Sequence, residues 1–161
     1  MKMRNIFIIL IVLGLAGCGV TVSDYDQAIM DGVSDLNLGK PEKAIKSFER
    51  AIAIDPKKPG GYLGRANSLN TMGRYKDCLA DYSRALELDP KLANAYANRG
   101  IAHAHLGEID KAIADYEKAL ALDPKIDDKP GFVKRLFDNV PNTDKGIRRH
   151  LEALKQQKRQ S

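Results

Sequence analysis

Tryptophan is absent from these 161 residues, and aromatic side chains of all kinds make up only 6%. A core built from this chain must rest on small and aliphatic groups with a few rings set among them. Cysteine occurs only at Cys18 and Cys78, too sparse and too far apart for a disulfide framework. The three histidines, His103, His105 and His150, have no metal-ligand spacing. His103 and His105 stand two apart, which puts them on different faces of a helix. The longest apolar run, Ile6 to Leu15, has ten residues, whereas crossing a bilayer takes ~20. Glycine-rich "PGGYLG" lacks the lysine and spacing of a phosphate loop. There is no nucleophile elbow and no histidine–carboxylate arrangement, so neither an enzyme nor a cofactor is expected.

Charge is present but uneven. The net value is +5, yet residues 18–124 hold 14 basic against 16 acidic side chains, while residues 125–161 hold 10 against 5. The basic excess belongs to the C-terminal fifth, which argues against a nucleic-acid surface spread over a fold.

The first eighteen residues carry a distinct signal. Lys2 and Arg4 precede the ten-residue apolar run, which has the length of a signal-peptide core. It ends in Leu15-Ala16-Gly17-Cys18, a tetrad that resembles the lipobox of bacterial lipoprotein signal peptides. That resemblance implies a signal peptide over 1–17, cleavage before Cys18, and acylation of its thiol and new amine. Two or three acyl chains anchor firmly where one does not, at ~0.8 kcal/mol per buried methylene. Gly19 is not the aspartate that retains lipoproteins in the inner membrane of enteric bacteria, so the resemblance favours the outer membrane, facing the periplasm. Residues 18–24 would form the lipidated cysteine and a short tether, whose five residues after Cys18 reach at most ~18 Å and keep the fold close to the membrane. Ser23-Asp24 opens a helix, with Asp24 and Gln27 expected as its capping box.

Self-comparison finds a period of thirty-four. "AIAIDPK", "ALELDPK" and "ALALDPK" recur, with Pro56, Pro90 and Pro124 in step and Gly39, Gly73 and Gly107 likewise. Residues 59–92 and 93–126 share 12 of 34 positions, and 25–58 is more divergent. Each unit reads as an amphipathic stretch, a glycine able to take positive φ, a second amphipathic stretch, then Asp-Pro as a helix stop. Small residues at Ala44, Cys78 and Ala112 allow close helix approach, with the rings of Phe48, Tyr82 and Tyr116 packing one turn later. Cys78 stands where its counterparts are alanine, so it is expected as a buried apolar group. Arg65 and Arg99 share one repeat position and Asp81 and Asp115 another, which predicts an Arg–Asp contact inside each of the last two units.

The pattern resembles the tetratricopeptide repeat. Tyr62, Ala66, Gly73, Cys78, Tyr82, Ala85 and Pro90 stand at that family's signature positions, as do Tyr96, Gly100, Gly107, Ala112, Tyr116, Ala119 and Pro124. In the first unit Gly32, Gly39, Ala44, Phe48, Ala51 and Pro56 match, while Ala28 replaces an aromatic. The resemblance implies an all-α fold, an α-solenoid of three helix pairs over 25–58, 59–92 and 93–126. Residues 127–161 are expected to cap the last unit. Phe132, Val133, Leu136, Phe137 and Val140 come first; Asn142-Thr143 then offer an N-cap before Ile147, Leu151 and Leu154 at helical spacing.

Arrays of this family bind peptides or proteins in a groove lined by the first helix of each pair. The resemblance places Ile29, Val33, Leu36 and Asn37 there, then Leu63, Asn67, Asn70 and Thr71, then Asn94, Ala97, Asn98, Ile101 and His105. An amide both donates and accepts, so an extended segment of an unidentified protein or peptide is the expected partner. The subfamily that grips acidic chaperone C-termini needs lysine and arginine where this chain has Ile29, Val33, Gly64, Asn94 and Asn98, so that ligand is not expected. The readings left are an adaptor and a structural, pilotin-like component of an envelope pilus, secretion or cell-wall complex. Contact with the membrane would run through the lipid anchor.

Overall fold

The computed structural model describes residues 22–126 and 146–160. Within them the chain forms helices α1 (Asp24–Asn37), α2 (Pro41–Ile54), α3 (Pro59–Thr71), α4 (Tyr75–Leu88), α5 (Ala93–His105), α6 (Ile109–Leu122) and α7 (Gly146–Gln160), with no strand among the described residues. Cys18, Phe132, Val133, Leu136, Phe137, Val140, Asn142 and Thr143 lie outside the described residues.

Local chemistry sets the boundaries. Ser23 caps α1, its hydroxyl oxygen accepting from the Asp26 backbone N–H at 3.1 Å while the hydroxyl donates to the Asp26 carboxylate at 2.6 Å. The cap thus sits one residue earlier than Asp24 and Gln27. Ser23 has the extended backbone an N-cap needs, and Gln27 turns its side chain to Asp31 instead. Pro41 and Pro59 open α2 and α3, where a missing N–H costs nothing. Gly39, Gly73 and Gly107 take φ of 69°, 73° and 74° and close each hairpin. The following N–H reaches back five residues, as in Arg74 to the Leu69 carbonyl at 2.9 Å, so the last carbonyls of each first helix are satisfied. At the other end Asp55, Asp89 and Asp123 leave the helix in extended conformation. Each carboxylate accepts from the N–H two residues on, at 3.0, 2.9 and 3.1 Å, so the aspartate of Asp-Pro builds the turn between repeats.

The helices pair α1 with α2, α3 with α4 and α5 with α6, and successive pairs stack. Ala44, Cys78 and Ala112 are fully buried, and Phe48, Tyr82 and Tyr116 sit at the centres of the pairs with 0–1% of their surface exposed. Full burial of a ring of this size stabilises by about 2–3 kcal/mol. One apolar cluster joins the second and third units through Ala66, Leu69, Tyr82, Leu86, Ala95 and Ala102. Another closes the C-terminal end, where Ile147, Leu151 and Leu154 of α7 pack on Ala112, Tyr116, Ala119 and Ile126. The helical part of the expected cap is therefore in place, and it covers the last pair.

Close approach at the first junction depends on glycine. The Phe48 ring is held between Gly32 of its own unit and Gly64 of the next. A Cβ at Gly32 would come within 2.7 Å of the ring, and one at Gly64 would overlap it further.

The Arg–Asp contacts form as expected. Arg65 donates twice to Asp81, both at 2.7 Å, and Arg99 twice to Asp115, both at 2.8 Å. The first unit reverses the polarity, with Asp31 on α1 accepting from Arg50 of α2 at 2.5 Å. Arg65 also approaches Glu49 of the preceding unit at 3.7 Å, and Arg99 donates to Ser83 of its preceding unit at 3.2 Å. These two arginines therefore tie neighbouring repeats together.

Candidate functional site

The curvature of the stack identifies the candidate surface. First helices of successive units meet each other, α1 with α3 and α3 with α5, whereas the second helices α2, α4 and α6 have no comparable contact. The first helices therefore lie on the inner, concave side. Geometry and family expectation agree on which helices line it.

Asn67 stands at its centre, half-buried on α3. Its side-chain oxygen accepts from the Tyr82 hydroxyl at 2.9 Å and from Asn98 Nδ2 at 2.8 Å, which bridges the second and third units. That leaves the Asn67 amide nitrogen as the donor for anything lying over α3. Asn98 is fully buried, and Asn70 and Ile101 are nearly so, which places these three beneath the groove surface. Asn70 and Asn98 thus bring buried amides to the groove floor inside an apolar stack. Both amides lie close to the Tyr82 hydroxyl, whose burial drives its pKa well above the usual tyrosine value.

Leu63 and Asn94 are half-buried and His105 is exposed. The His105 ring stacks on Tyr75 with centroids 4.1 Å apart and planes 3° from parallel. Loss of water around the ring lowers its pKa, so it is neutral at pH 7. On α1, Val33 is 47% exposed and Ile29 and Leu36 are half-buried, so the inner side begins apolar and becomes amide-rich. Of the residues expected in the groove on α3 and α5, Leu63, Asn67, Thr71, Asn94 and His105 offer surface, as do Val33 and Asn37 on α1. Asn70, Ala97, Asn98 and Ile101 are buried beneath it. The Asn67–Tyr82–Asn98 network has no signal in the repeat pattern, since Asn67 and Asn98 are 31 residues apart and stand at different repeat positions.

Two further reactive side chains lie elsewhere, and one of them, His103, meets carboxylates although no histidine–carboxylate arrangement was legible in the sequence. Cys78 is buried, its thiol pushed up to about 12 by loss of solvent, and it leans toward the Tyr75 carbonyl at 3.1 Å. His103 contacts Glu108 at 2.5 Å and lies 3.8 Å from Asp115. No group of three potential ligands among the described residues would hold a metal ion, and no described helix is long and apolar enough to cross a membrane.

Family models of the tetratricopeptide repeat match residues 34–58 and 93–126, and a TPR repeat model matches residues 66–107. Among solved structures, the second TPR of Spaghetti (RPAP3) bound to the HSP90 peptide SRMEEVD is 30% identical, with a TM-score of 0.61. The match covers 63% of this chain and 88% of that one. The first TPR of the same protein, bound to the same peptide, is 22% identical with a TM-score of 0.67, covering 86% and 97%. The TPR2B domain of yeast Sti1 in complex with an Hsp70 peptide is 20% identical with a TM-score of 0.64, covering 85% and 97%. No curated protein sequence matches the chain. The chain belongs to the tetratricopeptide-repeat family, and its described part is an α-solenoid of three such pairs closed by α7.

Proposed function

We propose that this protein is a lipid-anchored adaptor of the bacterial cell envelope, facing the periplasm, that holds an extended segment of a protein partner against its concave side. The observation that carries the reading is the mix of amides and aliphatic groups on that side, with the Asn67 oxygen held by Tyr82 and Asn98, which leaves its amide nitrogen to donate to a ligand. A backbone lying along α3 and α5 supplies the carbonyls such a donor needs, and the aliphatic groups of α1 favour an apolar side chain at one end. The similar RPAP3 and Sti1 domains hold chaperone peptides. Here the positions used to grip acidic C-termini hold Ile29, Val33, Gly64, Asn94 and Asn98, none of them basic, so an uncharged segment is favoured over an acidic tail. The anchor is supported by the positive start, the ten-residue core and the Leu15–Cys18 tetrad.

Two experiments test the two halves separately. A photo-crosslinking amino acid at Leu63, Asn94 or His105 in intact cells should capture one partner that the same group on the outer helix α6, at Lys118, does not. Equal capture at both places removes the groove from the reading. Cys18→Ser should release the protein from the membrane fraction, and retention as firm as the parent's ends the anchor.

A further inference from the structure

Every large hydrophobic side chain that is exposed among the described residues belongs to the first unit or its approach: Val22, Met30, Val33, Leu38 and Ile54, at 45–63%. The repeat explains why two of them stand open. In the second unit Gly61, Gly64 and Ser68 are buried, and in the third Ala95, Asn98 and Ala102, because these positions of the first helix pack against the second helix of the preceding pair. Thirty-four residues before Gly61, Gly64 and Ser68 are Gln27, Met30 and Ser34, and all three are exposed. Met72 and Leu106 continue the row half-buried, while their counterpart Leu38 is 63% exposed. This face of α1 is thus built like a stacking face, with the place of a preceding helix empty among the described residues.

Solenoid ends that face water are normally polar, as capping requires. This one has Met30 and Leu38 set among Gln27 and Ser34. The charged side chains of α1 itself are all acidic, Asp24, Asp26, Asp31 and Asp35, and Asp31 is already paired with Arg50 of α2. Asp24, Asp31 and Asp35 run along the helix one step from the Gln27–Ser34–Leu38 row, at the spacing that keeps them on one side.

We infer that the open end of α1 is a docking surface for a basic amphipathic helix of a partner protein, seated where a preceding repeat would place its second helix. Apolar groups of that helix cover Met30 and Leu38, and its lysines or arginines meet Asp24 and Asp35 on either side of the Asp31–Arg50 pair. An anionic lipid surface is disfavoured by the same aspartates. The inference stands apart from the groove and from the anchor, because it uses neither the concave side nor Cys18.

The test uses the full chain and two synthetic helices, an amphipathic leucine–lysine peptide and its leucine–glutamate twin. Residues 18–124 hold 14 basic against 16 acidic side chains, so the location of binding is read from the α1 signals and from a variant of this face. The lysine peptide should bind, shift backbone NMR signals of α1, and weaken as salt rises from about 50 to about 500 mM. The glutamate peptide should not bind. Met30→Ser with Leu38→Ser, both at exposed sites and without change of charge, should weaken binding at least ~10-fold. Equal binding of the two peptides, shifts confined to other helices, or an unchanged affinity of the variant overturns the inference. So does protection of α1 by self-association in sedimentation, or by phosphatidylglycerol vesicles, in place of the peptide.

Discussion

Gly64→Ala should destabilise this protein although it places a better helix former inside a helix. Alanine in a helix interior is worth about 1 kcal/mol over glycine when nothing else changes. At Gly64 the new methyl would land on the Phe48 ring, which is 1% exposed and already backed by Gly32 on its other side. The ring cannot retreat, so the strain reaches the upper part of the usual overpacking cost, about 3 kcal/mol. The net expectation is a loss of about 2 kcal/mol. Phe48→Leu removes the ring edge, and in that background the same Gly64→Ala should be neutral or stabilising. The coupling in the double-mutant cycle should then be at least ~2 kcal/mol. Urea unfolding followed by helical circular dichroism, with hydrogen exchange on α1 and α2 to show whether the first unit melts separately, gives the four stabilities. A Gly64→Ala variant as stable as the parent, or the same penalty with leucine at 48, would refute the claim that this contact sets the first junction.

Arg99→Ala should cost about 2 kcal/mol in urea unfolding, because it strands Asp115, whose side chain is 9% exposed, and also releases Ser83. Arg50→Ala breaks the exposed Asp31 pair and should leave the midpoint unchanged within error. Cys78 in the folded chain should stay unreactive to a thiol reagent near pH 8 and react on unfolding, since its thiol pKa is pushed up to about 12. The pKa of His150, beside the Tyr116 hydroxyl at 2.9 Å, is lowered from the ordinary 6.5, chiefly by burial and further by the nearby His105, itself lowered. The unfolded chain then binds more protons than the folded one just below that value, so this contribution is whole above about pH 6.5 and lost as pH falls through the folded value. The protection factors of α7 amides, exchange rates divided into the intrinsic rate at each pH, should fall from about pH 7.5 to about pH 5.5, and His150→Gln should flatten the dependence.

Periodicity carried the fold. A thirty-four-residue step in glycine, proline and small residues is chemistry that acts locally: positive φ at Gly73, a helix stop at Asp89-Pro90, close approach at Cys78. Such signals need no knowledge of what lies far away in sequence, and each gave the element expected. The Arg65–Asp81 and Arg99–Asp115 contacts were legible for the same reason, since both partners fall within one helical hairpin. The Asp24–Gln27 cap was misplaced by one residue because serine and aspartate compete for an N-cap and only backbone geometry decides between them.

The sequence by itself determined three helix pairs, their turns and their buried rings, because one repeat contains nearly all the atoms involved. Tertiary structure alone decided what depends on neighbouring repeats. It sank Asn70, Asn98 and Ile101 below the groove, joined Asn67 to Tyr82 and Asn98, set Phe48 between glycines of two units, and left Met30 and Leu38 facing outward. The physical reason is burial: whether an amide meets a ligand or a core depends on how far one pair rotates against the next, and no single repeat encodes that angle.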